Sequence, residues 1–129
     1  MNITVTSVRG DGSGHVEFSS EFGDAFGLWQ GGGPAALGRY DVEIDLPETL
    51  ESWKPSDGGR SLRMVRGSDG VERVQLSGSV EQIGEDGVVA LKIGRDIVLA
   101  EFVDSCELPI AGATVALCPV ILELYPYDL

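Results

Sequence analysis

The sequence is poor in the residues that carry most enzyme chemistry. It holds one histidine, His15, two cysteines, Cys106 and Cys118, and only nine Lys and Arg against 21 Asp and Glu. A triad or dyad built on histidine would have to use His15. That residue sits beside the "GDGSG" turn, on the polar phase opposite Val16 and Phe18. No GxSxG elbow, GKS/T phosphate loop or HExxH helix occurs, and those spacings are what the corresponding chemistries require. Two thiols and one imidazole leave a tetrahedral zinc site short of a ligand. The chain is therefore expected to be no enzyme and to carry no cofactor or metal.

Long apolar runs are missing as well. "IVLA" and the "VILEL" from Val120 fall far short of the roughly 20 residues that cross a bilayer as a helix. The opening "MNITVTSVRG" has neither the basic nor the apolar region of a signal peptide, so a cytoplasmic location with reduced thiols is expected. Helical periodicity is thin. "LPETLESWKP" offers about two turns between Pro47 and Pro55, and "PAALG" one turn ended by Gly38.

What the chain has instead is alternation. Val16, Phe18, Ser20 and Phe22 alternate with His15, Glu17, Ser19 and Glu21, and Tyr40, Val42, Ile44 and Leu46 alternate with Asp41, Glu43 and Asp45. Period two puts one face of a strand in a core and the other in water. The continuous runs "VVALKI", "DIVLAEF" and "PVILELY" read as strands covered on both faces or lying in the most buried part of a barrel. Turn signals at short spacing ("GDGSG", "GGGP", "SDGG", "GSDG", "GEDG") separate these segments. They predict a single all-β domain over 1–129, a small antiparallel barrel or sandwich of about 7–9 short strands.

The order of these segments recurs. A strand with Ser-Val at 7–8 or 79–80, a DG turn at 11–12 or 86–87, and a hairpin at 14–30 or 87–102 appear in both halves. "VEIDL" at 42–46 and "VILEL" at 120–124 then close each half. The reading is a weak internal duplication with pseudo-repeats over 3–46 and 74–125. From Val74 onward the pattern resembles the first strands of an OB-type barrel, with "ERVQLSGSVEQIG" bending at Gly78 to serve two sheets.

Charge carries the functional reading. The formal net charge is −12, a field that repels phosphate backbones and anionic lipid and favours cationic partners. Nucleic acid and membranes are not expected partners; a basic protein is. Asp41, Glu43 and Asp45 share one strand face at a spacing of about 7 Å. Glu48 and Glu51 follow nearby, and Glu17 and Glu21 would join that face if the strand paired with 15–22. Like charges across a pair of strands cost stability, so the partner-binding candidates are Glu17, Glu21, Asp41, Glu43, Asp45 and Glu48. Small acidic inhibitors, such as the immunity proteins that block nuclease toxins, have this charge logic. Arg60, Arg63, Arg66 and Arg73 are expected on a hairpin turning at "GSDG", held against the acidic strands. Trp29 and Trp53 flank Gly- and Pro-rich loops, where they serve as core lids or as aromatic anchors. As anchors they would suit a second reading, a binder of a small molecule or oligosaccharide at a barrel mouth. The oligomeric state is not encoded in any of these signals.

Overall fold

Eleven strands make up the regular structure in a computed structural model that describes residues 1–56 and 58–127. The Asp of the "SDGG" turn and the last two residues of the "LYPYDL" tail lie outside the described residues. Among those described, none is helical, and no helix is long and apolar enough to cross a membrane. The two short helical segments expected at "LPETLESWKP" and "PAALG" are not helical: they are loop apart from an isolated bridge at Leu50, a two-residue strand at Lys54–Pro55 and Gly38, which begins the next strand. Tertiary pairing has overridden a weak local signal.

Five strands close a ring. β1 (Asn2–Val8), β2 (His15–Ser20) and β3 (Gly23–Trp29) form an antiparallel meander, and β4 (Gly38–Asp45) pairs with the far edge of β1. The gap between β3 and β4 is filled by the last strand, β11 (Glu123–Pro126), which runs parallel to β3 and antiparallel to β4. This is the Greek-key order of an OB-type barrel. The ring thus forms from the N-terminal strands and the distant β11. The sequence pattern places such an order after Val74, where a long strand followed by an antiparallel hairpin is also present.

The remaining strands extend the sheet. β6 (Leu62–Arg66) pairs with the first half of the long β7 (Glu72–Ile83), and β8 (Val89–Ile93) takes over the same edge beyond Gly78. The expected change of partner at Gly78 is therefore present. A β-carbon there would stand 3.0 Å from the Lys92 carbonyl oxygen and 3.4 Å from Leu91 Cβ, so a larger residue would press on β8. β9 (Asp96–Ala100) completes a hairpin with β8, while β10 (Thr114–Val120) lies on the other edge of β7 and carries β5 (Lys54–Pro55). The count exceeds the expected seven to nine because β5 and β11 are short segments recruited from afar.

One apolar cluster joins both regions. It includes Val5, Phe18, Val42, Ile44, Leu76, Leu91, Val98, Leu117 and Leu124. The alternation of β2 and β4 is obeyed, with Val16, Phe18, Val42 and Ile44 buried and Asp41, Glu43 and Asp45 exposed. The apolar runs of β8 and β9 prove one-sided. Ile97 and Leu99 are about half exposed (46% and 54%), because among the described residues no second layer covers the outer face of that hairpin.

Candidate functional site

The acidic strand β4 is flanked by β1 and β11, so its outward carboxylates meet neighbours the sequence pairing did not anticipate. Asp45 stands directly opposite Glu123, and Glu43 opposite Tyr125. The Tyr127 N–H donates to the Asp41 carbonyl at 2.9 Å, which brings the Tyr127 side chain to the same edge. The α-amine of Met1 donates to Asp41 Oδ1 (3.3 Å), Asp96 Oδ1 (3.0 Å) and the Val42 carbonyl (2.8 Å). Glu43, Asp45 and Glu123 have no ion-pair partner among the described residues.

Two phenols complete this face. Tyr125 donates its hydroxyl to Glu123 Oε1 at 3.2 Å, and Gln30 Nε2 donates to the other oxygen of that carboxylate at 3.1 Å. Partial burial, then the charge and hydrogen bond of Glu123, then Asp45 and Glu43, push the Tyr125 hydroxyl above its ordinary pKa. Partial burial followed by Glu43, Asp41 and Asp96 does the same to Tyr127. Burial leads both shifts, and the carboxylates of this face add to them. A cleft of about 140 Å³ opens beside Tyr127, lined in part by Glu43, Asp96 and Ile97.

Not every predicted acid converges here. β4 does not pair with β2, because β1 lies between them. Glu17 faces Arg9 at 3.9 Å, and that guanidinium lies 4.7 Å from the centre of the Phe26 ring. Glu21 sits in the β2–β3 turn and shares a shallow groove with Asp41, Arg95 and Asp96. Glu48 and Glu51 line a separate hollow with Cys118 and Pro119. The face consists of Asp41, Glu43 and Asp45 with Glu123, Tyr125 and Tyr127. The last three had a signal: Glu123, Tyr125 and Tyr127 share one phase of "ELYPY". What sequence could not supply was the neighbour of that strand.

The remaining candidates are mostly engaged internally. Arg66 pairs with Glu72 at 3.0 Å and Arg73 with Asp69 at 2.7 Å, so the basic hairpin forms as expected and these two of its arginines pair within it rather than with the acidic strands. The short distance across the turn decides that choice. The Arg73 guanidinium holds the Asp69 carboxyl well below the usual carboxylate range. Trp29 stacks edge-on against Tyr40 with ring centres 4.7 Å apart, and its buried Nε1 has no partner among the described residues. Trp53 donates Nε1–H to the Glu107 carbonyl at 2.7 Å. Both indoles pack against the core. Cys106 and Cys118 are free thiols, the first half-buried and the second exposed. No group of three or more His, Cys, Asp or Glu is placed to hold a metal ion among the described residues. No protein family, curated protein or solved structure matches the chain.

Proposed function

We propose that the protein is a non-enzymatic binding module whose β4–β11 face docks a basic protein, in the manner of an inhibitor or immunity-type protein. The observation that carries this reading is the placement of Asp45 opposite Glu123 and of Glu43 opposite Tyr125. Like charges facing each other across strands cost about 0.2–1 kcal/mol, a cost that a cationic partner would turn into attraction. Tyr125 and Tyr127 are 39% and 52% exposed. Phenol rings beside carboxylates suit arginine, whose planar cation stacks on aromatic faces while its N–H groups meet carboxylates. The free thiols Cys106 and Cys118 fit a reducing compartment such as the cytoplasm.

The alternative, a small-molecule or oligosaccharide binder with Trp29 and Trp53 as platforms, is less well supported. Both indoles are already occupied by Tyr40 and by the Glu107 carbonyl.

The test is titration with a nona-arginine peptide, comparing the wild type with the triple variant Asp41→Asn, Glu43→Gln, Asp45→Asn. Wild-type affinity is expected to fall steeply with added salt. The variant is expected to lose at least about tenfold in affinity at low salt while its stability rises by several tenths of a kcal/mol. Equal affinity of the two proteins at low salt would defeat the proposal.

A further inference from the structure

Two sets of strands in this chain share one register. In the first, Thr4 pairs with Ser19 and Val5 with Phe18; in the second, Ser79 pairs with Lys92 and Val80 with Leu91. Each ladder then carries an irregularity at the next step, between Val5 and Ser7 and between Val80 and Gln82. The hairpins agree throughout. Val16↔Gly27, Phe18↔Ala25 and Ser20↔Gly23 correspond to Val89↔Ala100, Leu91↔Val98 and Ile93↔Asp96, and a two-residue turn joins each pair. On the opposite edge, Ile3↔Tyr40 and Thr4↔Arg39 correspond to Gly78↔Val115 and Ser79↔Thr114. Recurrent amphipathic strands alone would not reproduce bulge position, turn length and both registers together.

The correspondence extends to closure. In the first set, Leu124 pairs in parallel with Trp29, and the Gln30 N–H donates to the Leu124 carbonyl at 2.9 Å. The hairpin offset carries Trp29 to Phe102 and Gln30 to Val103. Leu50 pairs in parallel with Phe102, and the Val103 N–H donates to the Leu50 carbonyl at 2.9 Å. The segment leading on from Leu50 supplies β5, which lies antiparallel on β10 as β11 lies on β4. Each closing segment therefore comes from the other half of the chain.

We propose that the protein is one five-stranded unit present twice, and that the two copies have exchanged their closing segments, so that each half is the other's obligate partner. This corrects the sequence alignment at two points. The counterpart of Val80 is Val5, not Val8, and the counterpart of β4 is β10, so "VEIDL" and "VILEL" are not equivalent. It also gives the exchange a local cause. β10 and β11 are separated only by Ile121 and Leu122. A two-residue hairpin would need left-handed residues such as Asn-Gly there, whereas Ile and Leu keep the chain extended and send it across to the neighbouring ring. The connector from β4 to Leu50, "LPET", is likewise without glycine or asparagine.

The test uses the full chain. Leu124→Ala and Leu50→Ala each truncate a buried closing leucine, and native-state amide exchange reads where the protein opens. Leu124→Ala is expected to speed exchange in β1–β4 by at least about tenfold, although Leu124 belongs to the other half. Leu50→Ala should do the same to β7–β10. Loosening of the opposite half, alone or with its own, supports the exchange; loosening confined to the substituted residue's own half overturns it. A second arm inserts a protease site between Gly58 and Gly59. After cutting, the fragments should co-elute and part only in denaturant. Separation into two pieces that each keep a strand spectrum would overturn the proposal.

Discussion

The hairpins β2–β3 and β8–β9 occupy matching positions, yet they turn different faces to solvent. On the first, Glu17 is held by Arg9 and Asp24 is exposed; at the matching positions of the second stand Ala90 and the exposed Ile97. The same divergence marks the neighbouring strands, where Asp41 and Glu43 of β4 stand against Ala116 and Cys118 of β10. Inward positions have changed much less: Val5 and Val80, Val16 and Val89, Phe18 and Leu91 are all apolar and buried. Packing restrains a buried side chain from all sides, whereas an outward one answers only to its solvent or partner. The acidic face thus marks only the ring of β1–β4 closed by β11, as expected of a surface specialised on a shared framework.

The sharpest way to break this comparison lies at closure. A β-carbon on Gly27 would stand 3.0 Å from the Leu122 carbonyl oxygen and 3.2 Å from Leu124 Cγ, while the matching position holds a fully buried alanine, Ala100. Gly27→Ala is expected to cost about 1–3 kcal/mol by forcing β11 away from β3. Ala100→Gly should cost about 1 kcal/mol, chiefly through backbone entropy. Urea unfolding of both variants checks the order, and a smaller loss at Gly27 would mean that the first ring closes no more tightly than the second.

A smaller effect should appear at alkaline pH. Tyr125 and Tyr127 have folded pKa values raised above the ordinary one, which is about 10. Their contribution to stability is therefore complete below about pH 10 and lost as pH rises toward the folded values, since the unfolded chain releases those protons first. In the triple variant lacking the β4 charges, phenolate absorbance should develop at lower pH. Burial remains the leading cause, so the shift should shrink without vanishing. An unchanged titration would mean that the stripe does not reach the two phenols.

The smallest effect is expected on the second hairpin. Ile97→Asp imitates the Asp24 of its counterpart at a position 46% exposed. Stability should stay within about 0.5 kcal/mol, as chemical denaturation can confirm. A larger loss would show that the outer face of β8–β9 is covered by something in solution.

Much of this arrangement was legible in the alternation and in the glycine turns. The strands Val16–Phe18 and Val42–Ile44, the hairpin at "GSDG" and the partner change at Gly78 all follow from local chemistry. The acidic phase of β4 was legible for the same reason. Its surroundings were not, because the pairing of Asp45 with Glu123 spans most of the chain, and no local periodicity encodes which distant strand fills a gap in a ring. The runs "VVALKI" and "DIVLAEF" do supply deeply buried residues, Val89, Leu91, Val98 and Ala100 among them, but two-sided burial does not hold, since Ile97 and Leu99 look outward.

The two tryptophans gain a use from the exchanged strands. Trp29 ends β3 of the first ring, beneath Tyr40, whereas Trp53 lies between Leu50 and β5 in the segment that closes the other ring. Both indoles belong to the first half of the polypeptide, yet Trp29 sits on a strand of the first ring and Trp53 in the segment that runs to β10. Trp29→Phe would leave an emission signal for one barrel and Trp53→Phe a signal for the other. The chain thus carries two built-in optical channels through which the order of opening of its halves can be followed without any added label.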